Sequence, residues 1–194
     1  MSSIKKKLGI FGGLLLALAL IAMTVLPKPS LATTYPITLT DDLGREVTIN
    51  APPERIISLA PSNTEILFAL GLEARIVAVT DYCDYPSAAL DKETIGGPWS
   101  PSVESIVALD PDLVLAEEIN PTATITTLEG LGVTVFGIEA TDLDDLLDDI
   151  NTVGQITNKE AEAAVLTAEM LMSAEAMRAG IEIVKPHIKA GRLV

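Results

Sequence analysis

Ile56-Ile57-Ser58-Leu59-Ala60-Pro61-Ser62-Asn63-Thr64-Glu65-Ile66-Leu67-Phe68-Ala69-Leu70-Gly71 opens the part of the chain that decides the fold. Ile56 to Ala60 is short and almost wholly apolar, as a strand buried on both faces must be. Ser62 and Glu65 have the spacing of a capping box ahead of Ile66, Leu67 and Leu70, and Gly71 supplies a helix stop. Arg75 to Thr80 then reads as a second strand. Working outward, Pro101-Ser102 opens a helix with Val103, Ile106, Val107 and Leu109 on its inner side. Leu113-Val114-Leu115-Ala116 is a third buried strand, Thr122 to Leu131 a helix, and Val133 to Gly137 a fourth strand. Thr141 and Asp144 start another helix, whose apolar stripe is Leu143, Leu146, Leu147, Ile150 and Val153. Short apolar strands alternating with helices predict an α/β fold, a parallel sheet flanked by helices on both sides.

Two segments depart from that alternation. Ile37 to Ile49 reads as a hairpin about Asp41-Asp42-Leu43-Gly44, followed by the separator Pro52-Pro53. Lys159 to Val184 is a single run of helix formers rich in alanine, glutamate and methionine, and Pro186 is expected to stop it. Gly191-Arg192-Leu193-Val194 looks like the opening of one more strand.

The N-terminus reads differently again. Lys5, Lys6 and Lys7 precede an uncharged apolar run from Leu8 to Leu26, and Ser30-Leu31-Ala32 offers small residues where a signal peptidase cuts. Residues 1–32 are therefore expected to be a signal peptide. The alternative is an uncleaved anchor, since a run of that length could just cross a bilayer. Either way the remainder leaves the cytosol. The full chain carries a net charge of −14; the leader holds four lysines and no acid, which leaves −18 on the rest. So acidic an exported domain repels phosphates and is a poor nucleic-acid partner. The single cysteine, Cys83, excludes an intramolecular disulfide and has no activating base nearby in sequence.

Few residues carry chemistry. His187 is the one histidine, too few for a multi-histidine metal site. Asp142, Asp144, Asp145, Asp148 and Asp149 lack the spacing of a calcium loop and read as a solvated helix face. No second histidine, no paired nucleophile and no phosphate-cradling glycine loop is found, so hydrolase and nucleotide-enzyme readings have little support. What stands out is aromatic. Tyr82, Tyr85 and Trp99 are three of the chain's seven aromatic residues, and they sit in loops, in Asp81-Tyr82-Cys83-Asp84-Tyr85-Pro86 and Gly96-Gly97-Pro98-Trp99-Ser100-Pro101. Residues so placed either anchor their loops or touch a ligand. Ser62 and Asn63, at a helix start, suit capping and ligand contact alike. Glu104 by itself reads as a surface charge.

Asp41-Asp42-Leu43-Gly44-Arg45-Glu46-Val47-Thr48, Ile56 to Glu65, Asp84-Tyr85-Pro86 and Val103-Glu104-Ser105-Ile106-Val107-Ala108-Leu109-Asp110-Pro111-Asp112-Leu113-Val114 occur in an order and spacing that resembles the periplasmic substrate-binding proteins of ABC importers for cobalamin and ferric siderophores. The likeness runs from about Thr40 to Val194. It implies two α/β lobes joined by a long helix, with ligand between them. On that pattern residues 33–157 are the N-terminal ligand-binding lobe, 158–185 the connecting helix, and 186–194 the start of a truncated second lobe. The cobalamin binders are the nearest likeness. The resemblance implies that Tyr82 and Trp99 pack on a corrin ring, that Ser62 and Asn63 face the same cleft, that Tyr85 is structural, and that Glu104 docks on arginines of the membrane permease. Cobalamin binders can carry a further aromatic after the third strand, where this chain has Glu117-Glu118, and so another corrinoid, a ferric siderophore or haem stays open as ligand. The ligand-facing loops carry no arginine of the kind siderophore sites use. A rival of another class is an interaction protein that binds no solute, which an exposed apolar strip on the long helix would support.

Overall fold

The computed structural model describes residues 33–189, with side chains through Ala179. The hairpin forms as read. β1 (Ile37–Thr40) and β2 (Glu46–Ile49) pair antiparallel, Ile37 opposite Ile49 and Thr40 opposite Glu46. Gly44 takes a φ of 77° in the turn, where a side chain would be strained. The turn is held by buried Asp41, which accepts hydrogen bonds from the Arg45 backbone amide (2.8 Å), from Arg45 Nε (3.0 Å) and from the amide of Gly137 (2.9 Å).

The main sheet contains β3 (Ile56–Ser58), β4 (Ile76–Val79), β5 (Glu93–Thr94), β6 (Leu113–Ala116) and β7 (Val135–Gly137), all parallel, in the order β5-β4-β3-β6-β7. β5 is too short and too polar to be seen by apolar patterning; pairing with β4 at Ala78–Glu93 and Val79–Thr94 creates it. Side chains alternate across the sheet. Ile56, Leu113, Leu115 and Phe136 fill one layer with Leu67, Ile150, Val153 and Ile156, and Ile57, Val114 and Val135 fill the other with Ile95, Ile106, Ile125 and Leu128.

Helices α1 (Pro61–Ala69), α2 (Val103–Ala108), α3 (Thr122–Gly130), α4 (Leu143–Thr157) and α5 (Glu160–Lys189) complete the lobe. α2 begins as expected, Ser102 Oγ accepting from the amide of Ser105 at 3.1 Å. Three local expectations are corrected. α1 has no capping box: Pro61 takes the first turn, Ala60 stands at the cap, and the Ser62 hydroxyl is free for another partner. α4 is capped by Asp142, whose Oδ1 accepts from the amides of Asp144 (2.8 Å) and Asp145 (3.0 Å), one residue later than read. α5 runs on through Pro186 to Lys189, about 45 Å at the usual rise, because a proline removes one donor and crowds one carbonyl without obliging the turn to end. α4 and α5 pack closely at Gly154, where a Cβ would lie 2.6 Å from that of Ala163. The expected leader (1–32) and the strand start at 191–194 lie outside the described residues. Among the described residues no helix is long and apolar enough to cross a membrane.

Candidate functional site

The strand order fixes where a ligand can enter. From β3 the chain steps to β4 and β5 on one side, then returns to β6 and β7 on the other. Loops leaving the carboxyl ends of β3 and β6 therefore diverge, and the crevice between them is the place where open α/β sheets bind ligands. Ser62 follows β3 and Glu117 follows β6. The Ser62 hydroxyl donates to Glu117 Oε1 at 3.2 Å, bridging that switch point.

Tyr82 follows β4 and Trp99 follows β5, on the same edge. Each is 56% exposed, and their rings meet edge to face, centroids 5.1 Å apart at 84°. Two large aromatics paired with each other but open to solvent present unspent apolar surface. The loops beneath them are stiff. Asp81 donates its amide to the Gly96 carbonyl (3.1 Å), Gly96 takes a φ of 91°, and Tyr82 lies against Gly97. Buried Asn120, which sequence reading passed over, ties three loops together. Its Nδ2 donates to the carbonyls of Leu59 (3.0 Å) and Pro98 (2.9 Å), while its Oδ1 accepts from the Glu117 amide (2.8 Å). Its one local signal is an asparagine ahead of a proline, which marks a turn and no more.

Asn63 departs from expectation. It is 1% exposed, and its Nδ2 donates to the Ala116 carbonyl at 3.1 Å. An amide committed to the backbone under the crevice is a strut, so Ser62 reaches the edge and Asn63 does not. Tyr85, expected to be structural, is 67% exposed and borders an apolar groove of about 450 Å³ between α1, α4 and α5, with Ile66, Leu146 and Met170. Glu104 stands exposed in the first turn of α2, near neither Ser62 nor the aromatic pair in any hydrogen bond. Cys83 is fully buried beside Thr64 Oγ1 (3.1 Å) and Thr80 Oγ1 (3.2 Å).

The β6–β7 end of the edge is acidic. Glu118 and Glu139 border a hollow with Asp42, Asp145, Asp148 and Asp149. The hydrogen bond that the Glu139 carboxyl can donate to Glu118 holds it above its ordinary range, with neighbouring acids adding to the effect. Asp149 is buried, and burial first, then the hydrogen bond its protonated carboxyl donates to Asp42 and the repulsion of the Asp42 charge, push it up to about 8. The expected solvated face is thus corrected at Asp149, which turns inward while Asp142, Asp144 and Asp148 stay exposed and Asp145 is half-buried. Among the described residues no group of three ligating side chains has metal-binding geometry.

A family model described as periplasmic binding protein matches residues 56–188. The chain belongs to that family. A cobalamin-binding protein of Halobacterium salinarum is 35% identical over 142 residues, 72% of this chain and 38% of the relative. An uncharacterized ABC transporter substrate-binding lipoprotein of Bacillus subtilis, YvrC, is 36% identical over 177 residues, 86% of this chain and 56% of the relative. Among solved structures, the periplasmic vitamin B12 binding protein BtuF of Vibrio cholerae superposes with a TM-score of 0.63 at 32% identity, over 68% of this chain and 52% of that one. A periplasmic heme binding protein from Pseudomonas aeruginosa gives 0.66 at 25% identity, over 69% and 49%. The chain thus spans about half the length of the relatives it matches. The parallel sheet with flanking helices and a long C-terminal helix is the lobe architecture of these binding proteins.

Proposed function

We propose that this periplasmic binding protein presents one wall of a cleft for a corrinoid, as part of an extracytoplasmic capture system that delivers the ligand to an ABC permease. The observation that carries the reading is the exposed Tyr82–Trp99 pair at the carboxyl edge of the sheet. A flat macrocycle laid against these rings gains apolar contact at little side-chain entropy cost, and Ser62 can hydrogen-bond its polar rim. Vitamin B12 binding in similar proteins supports the choice of ligand. No bond is made or broken. Glu104, exposed on the first turn of α2, is the proposed docking charge, where a carboxylate would take an arginine of the permease in bidentate fashion.

A second reading has an observation of its own. Val165, Leu171, Met172 and Met177 are exposed on α5, an apolar surface suited to covering by protein. A chain that served only as an interaction module would use this helix and leave the aromatic edge idle. Trp99 is the sole tryptophan, so its fluorescence reports the edge directly. Titration with cobalamin should quench it saturably, and Tyr82→Ala should weaken binding roughly tenfold, the cost of about 1.4 kcal/mol of lost aromatic contact. A Trp99 signal indifferent to cobalamin would leave the interaction reading standing.

A further inference from the structure

The five loops at the carboxyl edge have a charge composition that the aromatic pair alone does not explain. They are residues 60–62, 80–86, 95–101, 116–120 and 138–142, one after each parallel strand. They contain Asp81, Asp84, Glu117, Glu118, Glu139 and Asp142, and no lysine, arginine or histidine. Of the six basic side chains described elsewhere, Lys159 pairs with Glu162, Arg178 stands exposed on α5, and the other four are held away from these loops. Arg45 pairs with Asp41 and Glu129, Arg55 donates to the carbonyls of Leu109 and Asp110, Arg75 to that of Thr157, and Lys92 to that of Glu73. Glu117 is bridged to Ser62 at the switch point, and its loop is fastened by Asn120 to the carbonyl next to Trp99. The negative groups and the aromatic platform thus share one rigid edge.

Resting on the reading of this edge as a macrocycle site, we propose that Glu117, Glu118 and Glu139 select ligands by charge. The wall favours flat macrocycles with net positive charge, such as a corrinoid that lacks its anionic nucleotide loop, over anionic ones of the same shape. A unit charge about 8 Å from a carboxylate in water-like surroundings changes affinity by about twofold, so three acting together give on the order of fivefold to tenfold for a singly charged ligand. The effect fades as salt shortens the Debye length to about 10 Å and below. An anion such as a haem carrying two propionates finds no cationic partner on this wall. The acids around Glu139 hold its carboxyl above its ordinary range, as a crowded negative field does, and a ligand cation would relieve that field.

The test uses the full chain, Trp99 fluorescence corrected for ligand absorbance, and a matched pair of porphyrins, one with four N-methylpyridinium groups and one with four sulfonates. Cobalamin is the third probe. The triple variant Glu117→Gln/Glu118→Gln/Glu139→Gln is compared with Glu46→Gln/Glu73→Gln/Glu169→Gln, which removes as much charge from exposed positions off the edge. The expected result is a cation preference that falls at least fivefold in the edge variant and persists in the other. Equal losses in both variants, or no loss in the edge variant, would overturn charge selection while cobalamin quenching still upheld the site. No response to any of the three probes would overturn the site itself, and the inference with it.

Discussion

Asn120 shows how a residue without chemistry can govern a site. It satisfies two carbonyls and one amide from three loops in the interior, so Asn120→Ala orphans all three. Leaving buried polar groups unpaired costs about 2–3 kcal/mol, or roughly 4–12 °C in melting temperature for a chain of this size. Thermal unfolding should show that loss, and acrylamide should reach Trp99 more readily as Pro98 comes loose. Neither Asn120 nor the inward turn of Asn63 was legible in the sequence. Both depend on carbonyls supplied by strands far along the chain. Tyr82 and Trp99 stood out locally as aromatic residues in loops, whereas Ser62 read as a helix cap and only the family resemblance pointed it to the cleft. Asp149 gives a second test at this scale. Its carboxyl moves from an ordinary 3.8 to about 8 in the folded protein, so the folded state holds a proton that the unfolded state has released. Stability is therefore greatest below the unfolded value and declines as pH rises through about 8. Asp149→Asn should flatten this decline and raise the melting temperature at pH 8.5 more than at pH 4, as calorimetry at the two pH values would show.

At the scale of elements, periodicity made the sheet readable and contact made the rest. β3, β6 and β7 are buried on both faces and almost wholly apolar, and declare themselves; β5 is polar and exists through its register with β4. The helix start at Asp142 and the run of α5 past Pro186 were misread because each rests on a cap or on neighbouring turns that a local motif does not capture. The contact between α4 and α5 yields a prediction. Alanine normally improves a helix by up to about 1 kcal/mol over glycine. At Gly154 the new methyl would meet Ala163 Cβ at 2.6 Å and the Lys159 carbonyl at 3.2 Å, so the helices must part, and overpacking of this kind costs about 1–3 kcal/mol. Gly154→Ala should lower stability despite its better propensity. Adding Ala163→Gly should recover part of the loss, and a denaturant-unfolding cycle of the two substitutions would measure the coupling.

At the scale of the molecule, charge is distributed to two purposes that pull apart. A net charge of −14 disfavours self-association, and its concentration along the carboxyl edge and around Asp149 opposes compaction there. Most of these acids are exposed and lie within a Debye length of several others, so their repulsion is weak per pair, salt-sensitive and collective. Hydrophobic layers on both sides of the sheet hold the lobe together regardless of ionic strength. Raising sodium chloride from about 10 mM, where the Debye length is near 30 Å, to about 150 mM, where it is near 8 Å, should therefore increase the melting temperature. The increase should shrink in the Glu117→Gln/Glu118→Gln/Glu139→Gln variant, which starts with less repulsion to screen. At pH 4, with many carboxylates protonated, it should nearly vanish. A melting temperature that falls with salt at neutral pH would mean that attractive pairs such as Arg45 with Asp41 and Glu129, and not the acidic edge, dominate the electrostatics of the fold.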